Sequence, residues 1–215
     1  MEISLIEKEF AELNLVFTDL KILEDGKIIR GPLAFQIEGY TDSFDIEIKI
    51  PNDYPFHLPS VYETSNRIPR FDKYHVNTDG TLCLGSRRKI SEIFSKEHSL
   101  LGFVKNAVLP FFFSFCYLVE NGVRPYGELS HGSVGLLEDY KEFLGLRNKK
   151  EVLDFLNYTL LLYQNPKKRL KIKTRERCPC GSKLRFSKCH KKYDLLTTYY
   201  SEQELKKDID SMEKL

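Results

Sequence analysis

The segment Ile50–Val61 reads IPNDYPFHLPSV, with Pro51, Pro55 and Pro59 at every fourth residue. Each proline fixes its φ near about −65° and removes a backbone donor, so the stretch is neither helix nor central strand. It is a stiff crossing between regular elements, and its flanks say which. Before it, Leu33, Phe35 and Ile37 alternate with Ala34, Gln36 and Glu38, and Phe44, Ile46, Ile48 and Ile50 alternate with Asp45, Glu47 and Lys49. Period two on both sides of the turn-like Gly39–Ser43 predicts an antiparallel hairpin with one buried face. Lys27–Arg30 and Ser60–Thr64 are candidate strands on either side. Upstream, Ile3, Ile6, Phe10, Leu13 and Phe17 recur at steps of three and four, one apolar stripe on a helix whose other positions include Glu7, Lys8, Glu9 and Glu12. Downstream, the irregular stretch Arg67–Arg88 gives way to helical patterns at Ile90–Lys96, around Leu100–Val119, at Ser133–Phe143 and at Lys149–Tyr163. The predicted fold class is α+β: an N-terminal helix, an antiparallel β-meander and C-terminal helices.

With 215 residues, and 27 Phe and Tyr making up for the absence of tryptophan, the chain can fill a sizeable core. MEISLIEKEF is acidic and amphipathic, unlike a signal or transit peptide. Ala107–Val119 is 13 apolar residues after Lys105 and Asn106, short of the roughly 20 that span a bilayer. The expectation is no membrane. Five cysteines, an odd number with three clustered, argue against a secreted disulfide framework and for the cytoplasm.

The net charge of +2 conceals an asymmetry. Residues 166–192 hold twelve Lys or Arg against one acid, a local net of +11, while the rest of the chain is at −9. Such a run is either a solubilising linker or a docking site for an acidic partner, protein or nucleic acid. Within it, CPCGSKLRFSKCH supplies Cys178, Cys180, Cys189 and His190. Two thiolates two residues apart, then eight residues, then a Cys-His pair make four ligands for a closed tetrahedral Zn²⁺ site. Gly181 and Ser182 give the turn, and Phe186 can cover an ion in a knot with little other core. Reduced structural cysteines and an Fe–S centre are the alternatives. Ser201 and Glu204 form a capping box for a last helix to about Lys214.

This spacing resembles the SEC-C zinc module, and that resemblance implies a docking tail with a structural zinc ion. The expected organisation is residues 1–145 as the main domain, 146–177 as a helix and basic linker marked off by Gly145 and Asn148, and 178–215 as the zinc knot and terminal helix.

Cys83 stands in an irregular loop, KYHVNTDGTLCLGSRRK, where reactive groups tend to be displayed; Cys116, in FFFSFCYL, reads as a buried structural cysteine. The order of features resembles the ubiquitin-conjugating enzymes over residues 1–140. Pro51, Tyr54, Pro55 and Pro59 match that family's PxxYPxxxP crossing; His75-Val76-Asn77 corresponds to its His-Pro-Asn, and Gly80-Thr81-Leu82-Cys83-Leu84 to the Gly-x-x-Cys-Leu around its nucleophile. The resemblance implies that Cys83 carries an acyl group, a protein C-terminus, as a thioester and passes it to an amine. Asn77 would donate to the oxyanion, and His75 would orient the loop through backbone hydrogen bonding. The chain departs from the family in Val76, in a shorter Asn77-to-Cys83 spacing and in having no tryptophan after the loop. These features and the tail look like a prokaryotic branch found in anti-phage systems beside cyclic-nucleotide-making nucleotidyltransferases. The implied partners are an activating enzyme and a ubiquitin-like or nucleotidyltransferase protein substrate.

His131, among Gly127, Gly132 and Gly135, is either a helix-cap residue or a base beside Cys83. Asp79 and Asp139 are further candidates for acting on an incoming lysine. The competing readings are a non-catalytic binding module of the same fold whose basic zinc tail docks a protein or nucleic acid, a thiol hydrolase using Cys83 and His131, and a nucleic-acid binder acting through the tail.

Overall fold

The computed structural model describes residues 4–23, 26–127, 129–165, 173–178, 180, 182–189 and 200–215. The chain forms two compact units, Met1–Glu128 and Leu129–Leu215.

In the first unit, helix α1 (Leu5–Asn14) starts at a reciprocal capping box: Ser4 Oγ accepts from the Glu7 N–H at 3.2 Å, and Glu7 Oε2 accepts from the Ser4 N–H at 2.8 Å. Leu13 is fully buried, and Ile6 and Phe10 are half-buried beside it. Glu9 departs from the expected pattern, being buried too. Its Oε2 accepts the Tyr54 hydroxyl at 2.6 Å and the Leu100 N–H at 2.8 Å, joining α1, the proline crossing and the start of a later helix. Tyr54 is thus a structural strut of the crossing.

Strands β1 (Lys21–Leu23), β2 (Ile28–Ile37), β3 (Tyr40–Lys49) and β4 (Ser60–Glu63) form one antiparallel sheet in the order β1-β2-β3-β4. Leu33 and Phe35 of β2 and Phe44, Ile46 and Ile48 of β3 are buried, as their alternation predicts; Ile29 is buried as well, and Ile37 is half-buried. The hairpin is tighter than its composition suggests. Ile37 pairs with Tyr40, which leaves Glu38 and Gly39 as the whole turn, with φ of 48° and 87°. Two positive φ values define the two-residue turn whose twist matches the strands, so Tyr40–Ser43 is strand rather than loop. Ser60–Glu63 is the expected fourth strand. Lys27–Arg30 supplies only the start of β2, and β1, too short to show alternation, was not foreseen.

Helix α2 (Arg87–Lys96) begins earlier than its apolar pattern, at the Ser86 cap, whose Oγ accepts the Lys89 N–H at 3.1 Å. Helix α3 runs unbroken over Leu100–Asn121, 22 residues, long and apolar enough by length and composition to cross a membrane. Pro110 lies inside this helix without breaking it. A π turn at Val104–Val108 directly precedes it and widens the ladder where the ring and the missing N–H would disrupt a regular helix. Phe103, Phe112 and Phe113 are buried along α3, and Phe112 stacks on Phe44 of the sheet with centroids 4.5 Å apart. This helix is the core helix of the first unit.

The second unit contains α4 (Gly132–Leu144), α5 (Lys149–Gln164) and α6 (Glu202–Glu213), the last with the expected capping box. Their core includes Tyr140, Val152, Phe155, Leu156, Leu205, Ile209 and Met212, together with Cys178, Phe186, Cys189 and Tyr200. Two expectations change here. The unit boundary precedes α4 rather than falling at Gly145, because Tyr140 and Leu144 of α4 belong to this core. The cysteine knot is not coreless: it is built into a helical unit in which α5 is a central element, not part of a linker. Tyr140 and Tyr200 both donate to Asp208 Oδ2, Tyr140 at 2.8 Å, which ties α6 to α4. Burial and the Asp208 charge raise both phenol pKa values.

Candidate functional site

The Cys83 segment is more regular than its composition predicts. Val76 and Leu82 pair antiparallel, flanked by Cys83 N–H to His75 O at 2.8 Å and Asn77 N–H to Thr81 O at 2.9 Å. A turn closed by Gly80 N–H to Asn77 O at 2.9 Å completes a small hairpin over residues 75–83. Its second arm lies against the sheet's edge, where Leu82 N–H donates to Val61 O at 2.8 Å and Tyr62 pairs with Thr81. Val76 and Leu82 are buried, anchoring one face of the hairpin. Val76 is therefore a packing residue.

This register sets His75 opposite Cys83 and Asn77 opposite Thr81, so Asn77 and Cys83 are diagonal neighbours, a relation of about 7–8 Å between Cα atoms. Cys83 is half-buried. His75 adopts the left-handed conformation, φ 55° and ψ 43°, and it is its main-chain carbonyl that holds the Cys83 N–H. The Asn77 amide donates to Thr81 Oγ1 at 2.8 Å, and Thr81 donates through N–H and Oγ1 to Asp79 Oδ1 at 2.9 and 2.6 Å. These bonds lower the Asp79 pKa and commit its carboxylate to the turn. Gly80 (φ 86°) sits under the Arg70 guanidinium, whose Cζ would lie 3.4 Å from a Cβ there.

Cys116 is half-buried rather than buried, and its thiol donates to Asp42 Oδ2 at 3.5 Å. Burial, then the Asp42 charge, pushes that thiol up to about 11. Asp42 is itself held by a two-pronged pair with Arg67, at 3.0 and 2.8 Å, and Arg67 stacks over Phe44 at 4.1 Å. The Arg67 hydrogen bonds keep Asp42 below the usual carboxylate range.

In the second unit His131 is the N-cap residue of α4, the cap position expected of it, although its side chain bonds no helix N–H. The preceding turn closes instead through Ser130, whose N–H and hydroxyl donate to Glu138 at 2.8 and 3.0 Å. Its carbonyl oxygen would lie 1.5 Å from a Cβ on Gly135, so only glycine fits there. Asp139 is buried in this unit.

Cys178, Cys180 and Cys189 converge, their sulfur atoms all within 4.8 Å of one another, and can hold a metal ion. Cys180 and Cys189 Sγ are 3.6 Å apart, close to the roughly 3.8 Å edge of a tetrahedron with metal–sulfur bonds of about 2.3 Å. Ser182 Oγ is 3.2 Å from Cys189 Sγ. A short antiparallel ribbon sets the spacing: Arg177 pairs with Arg185, with Cys178 N–H to Leu184 O at 2.7 Å and Phe186 N–H to Glu176 O at 2.8 Å. A 3₁₀ turn, Phe186–Lys188, then delivers Cys189. Phe186 is buried in the same core as Cys178 and Cys189. The hydrogen bond with Cys180, then burial, raises the Cys189 thiol pKa. Three thiols this close resist joint ionisation unless a cation balances them. None of the five cysteines is in a disulfide. His190, the expected fourth ligand, and residues 166–172 of the basic run lie outside the described residues.

Sequence reasoning missed Tyr158 of α5. Its phenol pKa is raised by burial and then by Cys178 and Cys180, which places it in the electrostatic field of the cluster. It lies three residues after the stripe residue Phe155, a signal that would have found it. No protein-family model and no curated protein matches the chain.

Proposed function

We propose that the chain is a thioester-forming acyl transferase that works in the manner of the ubiquitin-conjugating enzymes, with Cys83 as the nucleophile. One observation carries this reading: a hairpin on the sheet edge holds Cys83 by its backbone opposite His75, with Asn77 on the diagonal. The Cys83 thiolate attacks the carbonyl carbon of a donor thioester and the donor's thiolate leaves, taking up a proton. An acceptor amine then attacks the Cys83 thioester, the C–S bond breaks, and the proton lost by nitrogen balances the released thiolate. Asn77 would have to turn its amide from Thr81 Oγ1 towards the oxyanion. A donor of that kind is worth about 2.7–4 kcal/mol of barrier. His75 acts through its carbonyl, holding the Cys83 main chain. Cys178, Cys180 and Cys189, with His190 as the fourth ligand, would hold a structural Zn²⁺ that stabilises the second unit and takes no part in the chemistry.

The Asn77–Thr81 bond also supports a second reading, a non-catalytic binding module in which this hairpin is a rigid recognition edge. One experiment separates the two. The chain is co-expressed with its gene neighbours, including any activating enzyme and nucleotidyltransferase, and its intact mass is taken with and without reductant. An acyl transferase gives a reductant-labile adduct on wild type and a reductant-stable one on Cys83→Ser. Unmodified mass in both proteins, with the neighbours expressed, overturns the transferase and leaves the binding module.

A further inference from the structure

The ribbon that spaces the cysteines carries a feature that the metal site does not need. Arg177 and Arg185 are directly paired across it, and the flanking bonds, Cys178 N–H to Leu184 O and Phe186 N–H to Glu176 O, make theirs a non-hydrogen-bonded pair. In that arrangement the two Cα atoms are about 4.5 Å apart and the side chains leave the same face at their closest approach. Cys178 and Phe186, one neighbour of each, are buried on the opposite face, while Glu176, Leu184 and both arginines are exposed. Like charges placed directly opposite weaken a ribbon. Among the described residues no carboxylate pairs with either arginine, nor with Arg175, Lys183 or Lys188; the one acid of the ribbon, Glu176, is 3.9 Å from Lys173.

We propose that this face of the ribbon binds the phosphodiester backbone of nucleic acid, with Arg177 and Arg185 gripping one phosphate between them. Two guanidinium forks side by side suit a group with two unshared oxygens facing outward and full negative charge. A carboxylate presents a single edge, which one arginine fills. Lys173, Arg175, Lys183 and Lys188 are exposed along the same segment, and the sequence of residues 166–192 holds twelve Lys or Arg against one acid, so the anion that matches the segment is a polymer of phosphates. This inference is independent of the chemistry at Cys83.

The test is fluorescence anisotropy of the full chain with a labelled oligothymidylate, titrated between about 50 and about 200 mM salt. Wild type, Arg177→Ala, Arg185→Ala, the double alanine variant and the double lysine variant are compared, with circular dichroism and metal content confirming that each is folded. Binding by wild type is expected to weaken steeply with salt. Each single alanine variant should lose about one phosphate contact, lowering the log–log salt slope by about 0.7. Because one phosphate is shared, the double alanine variant should lose little more than either single one. The double lysine variant should keep the slope and lose affinity severalfold. No binding at the lowest salt overturns the proposal, as do alanine variants that bind like wild type or single losses that simply add. Tighter binding to polyglutamate or to phosphatidylserine vesicles than to the oligonucleotide overturns it in favour of an acidic protein or a lipid surface.

Discussion

Both cysteines of the first unit are half-buried, and Cys116 also has a carboxylate beside it. Cys116 faces the Asp42 carboxylate, and burial with that charge lifts its pKa to about 11. At pH 8 only about one Cys116 in a thousand is then a thiolate, the reactive form. Iodoacetamide at that pH should leave the Cys116 peptide unmodified, with alkylation rising tenfold per pH step towards pH 11; peptide mass mapping reads this directly. Linkage gives the matching stability change. The folded-state pKa is raised, so the stabilisation is complete below the unfolded value near about 8.5 and is lost as pH rises through about 11. Cys116→Ser should flatten the decline in stability over that window. Equal alkylation of Cys116 across the range would show that burial and the Asp42 charge do not raise the pKa of this thiol. Glu9 teaches a different lesson at the same scale. It looked like one more acid on the polar side of α1, yet it is three residues after Ile6 and four before Leu13, which puts it on their face. Its partners, Tyr54 and the Leu100 N–H, are far along the chain, so the polarity of the residue alone pointed outward.

Among the elements, the β2–β3 hairpin depends on a turn with two positive φ angles, at Glu38 and Gly39. Nothing lies within 4 Å of where a Cβ on Gly39 would be, so Gly39→Ala has no clash to relieve and its cost is conformational alone. That cost is about 1–2 kcal/mol for an L-residue in the left-handed region. Urea unfolding should show a loss of that size for Gly39→Ala, and a gain for Glu38→Asn, because Asn-Gly is the preferred pair for this turn. An unchanged midpoint for the alanine variant would mean that the turn is not of this type. The strands themselves were legible because burial of one face writes period two into β2 and β3, and the helices because period 3.6 shows in long amphipathic runs. What was not legible had no period to show. β1 has three residues, the 75–83 hairpin buries only the side chains of Val76 and Leu82 together with Gly80, and the π turn before Pro110 is a backbone accommodation that leaves no mark in side-chain pattern. In the candidate site, Cys83 stood out by its loop setting, and His75 and Asn77 entered through the resemblance to the ubiquitin-conjugating enzymes. Their register, and the Thr81 and Asp79 groups that occupy Asn77, came from hydrogen bonds that composition does not encode.

At the scale of the whole molecule, the chain divides its chemistry between two units with separate means of support. The first rests on an aromatic core of sheet and α3, in which Phe44 and Phe112 stack. Among the described residues, the second packs α4, α5 and α6 on a core that includes two of the three clustered cysteines and Phe186. A bound metal would therefore act on the helices as well as on the knot, because removing it leaves three crowded thiols in the wall of their shared core. Binding free energies of structural zinc run to about 10–16 kcal/mol, enough to dominate the stability of a unit of this size. The full chain is expected to purify with one metal ion, and a strong chelator should remove it. Hydrogen exchange followed by mass spectrometry should then show amides of residues 174–189, of α5 and of α6 exchanging about a hundredfold faster or more, while those of β2 and β3 keep their protection. Cys180→Ser should give the same pattern without chelator, since it removes a ligand from the half-exposed edge of the cluster and leaves the buried Cys178 and Cys189 in place. Metal-free protein with unchanged exchange in α5 and α6 would show that the helices carry the second unit alone, and that the three cysteines are packing residues brought together by the ribbon.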